Sequence, residues 1–412
     1  MSAKVSSVFD VVVVGAGIVG LATAFRILER HPGLRLAVLE KEHQVASQQT
    51  GHNSGVIHSG IYYAPGSVKA RTCVAGSRAM VRFCDEHAIR YERCGKVIVA
   101  RDESELGRLQ VLFDRGTANG VEGLEMLGPD RIRELEPYAV GVQGIHVPST
   151  GIVDFAEVAA ALVDEIQRRG GEIHLQHAAE GLSREGSVTR IRTNRGDYVT
   201  HSLIACAGLQ CDRVAEMSGA RLNLRIVPFR GDYYVLKSNR TFLCKALLYP
   251  VPDPSFPFLG VHYTRRLDGS VWAGPNAVLS LARQGYGRWD FDWNDTRDTL
   301  TWPGFWKLAR SHWRMGLLEM VRDHIKLAYL RTMQDYIPDV GLGDVLPGPS
   351  GVRAQALDRE GSLIDDFVVH QDSGMIHVLN APSPAATSSL AVADMIVDRA
   401  ESSFDLMPRH VW

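Results

Sequence analysis

The chain has 412 residues, of which 45% are hydrophobic and 22% are charged, and its formal net charge at pH 7 is -2. These values are typical of a globular protein of two or three domains, and the lack of a strong positive charge argues against a nucleic-acid partner. No apolar run is long enough to cross a bilayer, and the opening segment MSAKVSSVFD is too short and too polar for a signal peptide. The six cysteines have neither CxxC nor zinc-ligand spacing, which predicts reduced thiols, no metal site and a cytoplasmic location.

The first predicted unit is a nucleotide-binding βαβ motif. An apolar strand over Asp10–Val14 precedes glycines in the G-x-G-x-x-G spacing, and a helix over Leu21–Arg30, a strand over Leu36–Leu39 and Glu40 follow. In this pattern the glycines permit a tight turn, a close approach to pyrophosphate and close helix–strand packing. The acid is placed to accept hydrogen bonds from ribose hydroxyls. The motif predicts an ADP-containing dinucleotide without distinguishing FAD from NAD.

Helices and strands alternate through the middle of the chain. Apolar periodicity and capping residues predict the following elements before residue 220: helices over Ser77–His87, Ser104–Asn119 and Phe155–Arg169, and strands over Arg93–Ala100 and Ser202–Ala207. From Arg225 the alternation predicts an antiparallel sheet with long turns. The last part is predicted as a strand pair around Asp358 to Val369, the strand MIHVLN and a final helix over Ala386–Glu401.

Three segments of small or polar residues favour FAD, because an enzyme of glutathione-reductase type buries its flavin across several returning segments. They are HNSGVIHSGIYY at 52–63, IACAGLQCDRV at 204–214 and HVLNAPSPAATSSLAVADMI at 377–396. The third opens a helix whose N-terminal amides can face a flavin oxygen. The predicted cofactor-binding residues are Gly15, Gly17, Ile18, Val19, Gly20, Glu40, Lys41, Asn53, Ser54, Gly55, Ala207, Gly208, Asn380, Pro382, Ser383, Ala385, Ala386 and Thr387.

These motifs also carry a family resemblance. GAGIVGLATA, NSGVIHSGIYY, CGKVIVA, IVPFRGDYY, YPVPDPSFPFLGVHYT, GVRAQALD and NAPSPAATSSLA resemble the D-amino-acid-oxidase-like (DAO superfamily) FAD-dependent oxidoreductases. Within these, the chain is most similar to the L-2-hydroxyglutarate dehydrogenase/oxidase family. The resemblance extends from Asp10 to about Val397 and is weakest over the helical segment that ends at Met333.

The resemblance implies an α/β fold with an α+β substrate part. A Rossmann-like FAD-binding domain of glutathione-reductase type is expected from residues 1–90, 145–220 and 345–412. A substrate-binding domain with a mixed or antiparallel sheet is expected from residues 91–144 and 221–344, with a tryptophan-rich helical insertion at about 288–333.

The implied reaction is the oxidation of L-2-hydroxyglutarate to 2-oxoglutarate by hydride transfer from the α carbon to flavin N5. Quinone and oxygen are both implied as electron acceptors. Two alternatives stay open: the same fold acting on another 2-hydroxy acid or an amino acid, and a nucleotide-binding protein without turnover.

Oxidation of a 2-hydroxy acid requires a cation for the α-carboxylate, a base for the hydroxyl proton and a group for the distal carboxylate. By the resemblance, Arg353 in GVRAQ is expected to bind the α-carboxylate. His58 and His262 compete for the role of base, because imidazole accepts a proton near neutral pH. For the distal carboxylate, the candidate is Arg230 in PFRGDYY. The alternative is that this arginine only positions the sheet.

Three further side chains near these motifs have less specific predictions. Tyr62 and Tyr63 are predicted either to donate a hydrogen bond to a substrate carboxylate or to pack in the core. Lys69 is predicted to be a solvated surface charge.

The predicted insertion concentrates tryptophan. Five of the seven tryptophans of the chain fall within it: Trp289, Trp293, Trp302, Trp306 and Trp313. In a helix from about Gly304, aromatic and aliphatic residues share one face, and Lys307, Arg310 and Arg314 add positive charge. Such a helix can pack within its own domain, form a homo-oligomer contact or lie peripherally on the inner face of a membrane.

Overall fold

The computed structural model describes residues 8–253, 259–372 and 374–406. Residues 1–7 of the opening segment that argues against a signal peptide and part of the YPVPDPSFPFLGVHYT motif therefore lie outside the described residues. The helices are α1 Ile18–Arg30, α2 Val68–Glu86, α3 Leu106–Ala118, α4 Pro129–Leu135, α5 Phe155–Arg168, α6 Cys211–Met217, α7 Trp293–Thr301, α8 Pro303–His324, α9 Lys326–Gln334 and α10 Ala385–Ser403.

The strands in the same ranges are β1 Phe9–Val14, β2 Leu36–Glu40, β3 Val56–Ile57, β4 Tyr91–Glu92, β5 Lys96–Ala100, β6 Glu125–Leu127, β7 Gln143–Val147, β8 Gly151–Val153, β9 Glu172–Leu175, β10 Ala179–Glu185, β11 Val188–Thr193, β12 Gly196–Ala205, β13 Leu224–Leu236, β14 Leu247–Pro250, β15 His262–Arg265, β16 Val271–Gly274, β17 Val278–Leu279, β18 Val345–Asp358, β19 Val368–Asp372 and β20 Met375–Asn380.

The first sheet, which we call the nucleotide sheet, has a parallel core in the order β20-β12-β1-β2-β9. Every residue of β1 and β2 is buried, as expected for parallel strands covered on both faces. Helices α1, α2, α5 and α10 contribute to one apolar core on this sheet. The antiparallel hairpin β10-β11 extends it beside β12.

The turn between β1 and α1 depends on glycine. Gly15 has φ +106°, a conformation that other residues rarely adopt, and a Cβ on Gly20 would lie 2.0 Å from the Gly15 oxygen. Helix α1 therefore packs directly on the turn. It begins at Ile18, three residues before the predicted start at Leu21, because Gly20 lies inside its first turn.

The second sheet, which we call the substrate sheet, has the order β17-β13-β16-β15-β14-β5-β7-β6, with β18 also paired to β13. It is antiparallel except that β5 and β14 run parallel. Strands β13 and β18 pair from Leu224 opposite Asp358 to Leu236 opposite Val345. The antiparallel sheet predicted from Arg225 is present, and β18 belongs to it.

The predicted strand pair around Asp358 to Val369 is wrong. Strand β18 pairs with β13, and β19 pairs with β20. Only an isolated bridge from Leu357 to Leu363 joins the two segments. Both strands find longer partners elsewhere in the chain, which a local pattern does not show.

The tryptophan-rich segment forms α7, α8 and α9, with a non-helical residue, His312, inside α8. Trp302 is buried, and its indole N–H is 3.1 Å from the Leu357 oxygen. Of the three alternatives given for this segment, Trp302 therefore follows the first and packs within its own domain. The other four tryptophans of the segment are exposed, with exposed fractions of 81% for Trp289, 68% for Trp293, 58% for Trp306 and 60% for Trp313.

Candidate active site

A cavity of about 1120 Å³ runs from the carboxyl edge of the nucleotide sheet to the substrate sheet. Its walls include the start of α1, the end of β2, the loop before β3, the start of α10 and part of β18. Drug-sized ligands occupy cavities of roughly 300–1,000 Å³. The volume therefore suits a dinucleotide together with a small substrate.

Most of the predicted site residues line this one cavity although they are far apart in the chain. Three do not: Gly20, Gly55 and Arg230. Those that line it are Gly15, Gly17, Ile18, Val19, Glu40, Lys41, Asn53, Ser54, His58, Tyr62, Tyr63, Ala207, Gly208, His262, Arg353, Asn380, Pro382, Ser383, Ala385, Ala386 and Thr387.

At the nucleotide end, the Glu40 carboxylate closes the glycine turn. It accepts hydrogen bonds from the Ala16 amide at 2.7 Å and the Glu42 amide at 3.0 Å. A carboxylate has further lone pairs, so these bonds leave acceptor capacity for a ribose hydroxyl. Thr50, which the sequence reading missed, accepts from the Ile18 amide at 3.0 Å and closes the start of α1.

The loop before β3 is shaped by Asn53. Its amide group donates to the oxygens of Gln49 at 3.3 Å and Thr50 at 2.6 Å, and its oxygen accepts from the Gly55 amide at 2.8 Å. These bonds show a loop-shaping role. The predicted contact of Asn53 with pyrophosphate stays a prediction.

At the opposite end of the cavity, the loop is tied to α10 by Thr387. The buried Thr387 hydroxyl donates to the Val56 oxygen at 3.0 Å and accepts from the His58 amide at 3.1 Å. Asn380 donates to the oxygens of Ile364 and Asp366. This bridge fixes the backbone of His58 relative to the helix start.

The residues at both ends of the cavity fit FAD. The N-cap residues of α1 and α10 supply no side-chain cap, and neither helix has an acidic residue in its first turn. Apart from amides that already donate, such as that of Ile18 to Thr50, the first-turn amides and the positive dipole ends of both helices can therefore interact with an electron-rich ligand. The Asn380 side-chain oxygen is buried without a hydrogen-bond partner among the described residues. The cavity thus offers backbone amides at both ends and an acceptor for a ligand N–H.

His262, the first residue of β15, has a defined tautomer. Its Nδ1 is 2.9 Å from the Gly260 carbonyl oxygen, which can only accept, so Nδ1 carries the proton and Nε2 has a free lone pair. Its ring lies 4.0 Å from the Tyr249 ring, centroid to centroid. Burial lowers the pKa of His262 to about 3, so the ring is neutral at pH 7.

His58 lies on the same cavity wall with a different environment. Burial, followed by the nearby Lys96, lowers its pKa to about 3, so this ring is also neutral at pH 7. Its Nδ1 is buried and has no hydrogen-bond partner among the described residues. No hydrogen bond to Nδ1 among the described residues therefore fixes its tautomer, in contrast to His262.

Arg353 reaches the cavity from β18. It pairs with Phe229 of β13 in the sheet register, and its guanidinium donates to the Asn276 oxygen at 3.3 Å. Burial lowers the pKa of Arg353, but an arginine remains charged at any physiological pH. A substrate carboxylate in the cavity would meet this charge.

Arg230 is not brought into the cavity. Its side chain is 5% exposed and forms ion pairs with Asp232 at 2.9 Å and Asp323 at 3.2 Å. Two carboxylates already neutralise the guanidinium. The geometry therefore supports the structural alternative over a role in substrate binding.

The prediction that Lys69 is a solvated surface charge is wrong. Its side chain is 9% exposed, lines the cavity and pairs with Asp365 at 2.7 Å. Tyr63 lies beside it, with the Lys69 ammonium 5.2 Å from the ring centroid. The Tyr62 hydroxyl is buried without a partner in the described ranges.

Sequence reading missed Lys96, the first residue of β5. The residue is 1% exposed, and its Nζ lies 4.5 Å from the centroid of the Tyr62 ring and 5.1 Å from that of Tyr249. The only signal in the sequence is a lone lysine at the start of the apolar run KVIVA. Tyr249, another residue missed, lines the cavity directly.

This fold and cavity define a class of protein: a dinucleotide-binding oxidoreductase whose cofactor site is completed by a second sheet. The FAD-bound L-alpha-glycerophosphate oxidase of Mycoplasma pneumoniae has the same fold, with a TM-score of 0.79 at 21% identity over 99% of this chain and 98% of that one. A family model described as FAD dependent oxidoreductase matches residues 10–399.

Two relatives narrow the comparison. The L-2-hydroxyglutarate dehydrogenase of Indibacter alkaliphilus is 47% identical over 397 residues, which cover 96% of this chain and 100% of the relative. The mitochondrial L-2-hydroxyglutarate dehydrogenase of Bos taurus is 46% identical over 418 residues, covering 97% and 90%.

The chain therefore belongs to the FAD dependent oxidoreductase family, in the branch that includes these L-2-hydroxyglutarate dehydrogenases. The predicted fold class, the enzyme class and FAD as the cofactor are confirmed.

Proposed function

We propose that this enzyme oxidises L-2-hydroxyglutarate to 2-oxoglutarate. The observation that carries the proposal is the meeting, in one cavity beside the dinucleotide site, of a buried guanidinium and an imidazole with a free lone pair. The names of the relatives at 46–47% identity supply the substrate. Another 2-hydroxy acid or an amino acid is the alternative that the experiment below excludes.

Each reacting group of the substrate has a counterpart in the chain. Arg353 binds the α-carboxylate, and His262 Nε2 accepts the hydroxyl proton. FAD, when bound, supplies the acceptor for the hydride that leaves the α carbon. The hydrogen bond from Nδ1 to the Gly260 oxygen orients the ring and stabilises the imidazolium that proton transfer creates. His58 is the alternative base, but no described residue forms a hydrogen bond with its Nδ1 that would fix the tautomer.

Anaerobic titration of the FAD-loaded enzyme tests the substrate. L-2-hydroxyglutarate is expected to bleach the flavin absorbance rapidly, whereas D-2-hydroxyglutarate, L-lactate and L-glutamate leave it oxidised. Bleaching by one of these other compounds at a comparable rate would replace the substrate in the proposal.

Variants at the two histidines test the base. His262→Gln is expected to lower the rate constant of bleaching by about 10²–10⁴-fold, the usual contribution of a general base. His58→Gln is the matched control and is expected to raise the substrate concentration needed more than it lowers the rate. The reverse pattern would assign the base to His58.

We propose in addition that the exposed tryptophans of residues 289–313 bind a membrane surface and that a membrane quinone is the electron acceptor. Lys307, Arg310 and Arg314 of α8 are exposed beside them, and Glu319 of the same helix is paired with Arg322. Aromatic rings and exposed cations together favour an anionic bilayer surface. None of the described helices has the length and apolar character that a bilayer crossing requires.

Vesicle flotation tests this surface. The enzyme is expected to float with vesicles of anionic lipid and not with zwitterionic ones, and Trp306→Ser/Trp313→Ser to remain at the bottom. Val140→Ser/Val142→Ser, which changes two exposed valines outside the insertion, is the control that still floats. A wild type that does not bind vesicles but dissociates to monomers when the tryptophans are changed would assign the surface to a homo-oligomer contact.

The electron acceptor is tested by reoxidation of the reduced flavin. A quinone analogue is expected to reoxidise it faster than oxygen does.

A further inference from the structure

Lys96 lies directly behind the side chains that form the substrate end of the cavity. It is almost fully buried, and its Nζ has no hydrogen-bond partner among the residues that the structure describes. Its Nζ lies near the rings of Tyr62 and Tyr249. A buried amine without a carboxylate partner is unfavourable for folding, so the fold alone does not account for this residue.

No negative charge balances Lys96 within the described part of the chain. The titratable side chains that face it are Cys73 from α2, His58 and Tyr62 from the loop after β3, Tyr249 from β14 and His262 from β15. Burial raises the pKa of the Cys73 thiol to about 12. Both imidazoles are neutral, and the pKa of both tyrosines is raised by burial. The cluster is therefore neutral or positive.

Two of the side chains near Lys96 carry a polar atom that has no partner among the described residues. His58 Nδ1 and the Tyr62 hydroxyl are both buried without a hydrogen-bond partner in the described ranges, and both residues line the cavity. Two groups that can donate hydrogen bonds, with a buried amine beside them, are complementary to an anion. Lys69, which lines the cavity itself, is already paired with Asp365.

This inference rests on the proposed oxidation of L-2-hydroxyglutarate. We propose that the distal carboxylate of the substrate binds against His58 and Tyr62, and that Lys96 supplies from behind them the positive charge that selects a dicarboxylate. Arg353 holds the α-carboxylate, so each carboxylate has its own cation. Lys96 is in these terms a positioning and specificity residue that acts through its two neighbours.

The arrangement couples binding to proton uptake. Burial lowers the pKa of Lys96 to about 7, so most of the amine is neutral at pH 8. A carboxylate bound nearby favours the ammonium form and raises this pKa. Binding of a dicarboxylate at pH 8 is then expected to take up close to one proton, and binding at pH 6 far less, because the amine is already protonated there.

Calorimetric titration of the FAD-loaded enzyme with 2-oxoglutarate tests this coupling without turnover. Measurement at pH 8 in two buffers of different ionisation enthalpy gives the number of protons taken up. The wild type is expected to take up close to one. Lys96→Met is expected to take up almost none and to bind 2-oxoglutarate at least tenfold more weakly, while its Kd for 2-oxopentanoate, which lacks the distal carboxylate, changes less than twofold.

Two further variants separate charge from general damage. Lys237→Met removes an exposed lysine of the chain and is expected to behave as the wild type. Tyr62→Phe is expected to weaken 2-oxoglutarate binding by a smaller factor and to keep the proton uptake, because Lys96 is intact. If Lys96→Met does not fold, the difference in proton uptake by the wild type between pH 8 and pH 6 still tests the proposal.

Equal loss of affinity for both oxo acids in Lys96→Met, or proton uptake that persists in this variant, would overturn the assignment. The proposed function fails separately. If L-2-hydroxyglutarate does not bleach the flavin, the substrate is wrong; if it does and Lys96→Met keeps its preference for dicarboxylates, only the role of Lys96 is wrong.

Discussion

Two buried cations of this enzyme have opposite surroundings. Arg283 and its partner Asp212 are both 0% exposed, and the Arg283 guanidinium bonds both carboxylate oxygens and the Leu209 oxygen. Although burial alone would raise the pKa of Asp212, Arg283 holds it below its usual range. Lys96 is similarly buried and has no such partner among the described residues. The comparison teaches that a buried charge with its partners belongs to the fold, whereas one without them indicates a ligand.

The largest expected effect is on stability at the paired site. Arg283→Met leaves the Asp212 carboxylate buried without a counter-charge, which typically costs about 3–5 kcal/mol in the free energy of unfolding. Urea denaturation monitored by tryptophan fluorescence measures it. Arg283→Met/Asp212→Leu removes both charges and is expected to recover most of the loss; a single variant within 1 kcal/mol of the wild type would contradict the structural role.

A smaller effect on stability is expected from the two histidines of the cavity, because both are neutral in the folded protein. The folded pKa of His58 and of His262 is about 3, whereas an unfolded histidine titrates at about 6.5. Between these values the unfolded chain binds more protons, so stability falls as the pH falls. From pH 6 to pH 5 the loss is about 2 kcal/mol for the pair.

Denaturation at the two pH values checks this expectation, with His58→Gln/His262→Gln as the comparison. The double variant is expected to lose about 2 kcal/mol less than the wild type over the same step. Parallel losses in both proteins would mean that the two histidines titrate in the folded protein as they do in the unfolded chain.

The smallest expected effect on the free energy of unfolding concerns Lys96. Its sign is opposite, because removing Lys96 stabilises the protein whereas removing Arg283 destabilises it. An unfolded lysine has a pKa of about 10.4, and burial lowers that of Lys96 to about 7. Between these values the unfolded chain again binds more protons, so the wild type gains stability as the pH rises. Relative to Lys96→Met it is expected to gain about 1.4 kcal/mol from pH 8 to pH 9.

At pH 7 the same variant is expected to be more stable than the wild type, because it removes an unpaired buried amine. Denaturation of both proteins at pH 7, 8 and 9 measures the difference. A variant that is less stable at every pH would mean that Lys96, like Arg283, serves the fold.

The nucleotide end was predictable because its information is local. The spacing of Gly15, Gly17 and Gly20 and the acid at Glu40 are read within one βαβ unit, and only the start of α1 was displaced. Arg353 and His262 were predictable as cavity residues from motifs that resemble a family. The tautomer of His262 and the charges around both residues could be assigned only from the folded structure.

The open role of Arg230 and the wrong prediction for Lys69 share one physical cause, which is distance along the chain. PFRGDYY does not show that Arg230 meets Asp323, 93 residues later, and GSVKA does not show that Lys69 meets Asp365, 296 residues later. Lys96 was missed because a lysine beginning an apolar strand is ordinarily a solvated end. Its neighbours come from four elements that only the fold brings together.

The cavity joins the two ends of the chain. Its first wall contains Gly15 and Gly17 of the opening βαβ unit, and its last wall contains Ala385 and Thr387 at the start of the final helix. A ligand that touches both walls clamps them, and at one hundred times its Kd it stabilises the folded state by about 2.7 kcal/mol. In a cell short of riboflavin the amount of this enzyme, and not only its activity, is therefore expected to follow the vitamin supply.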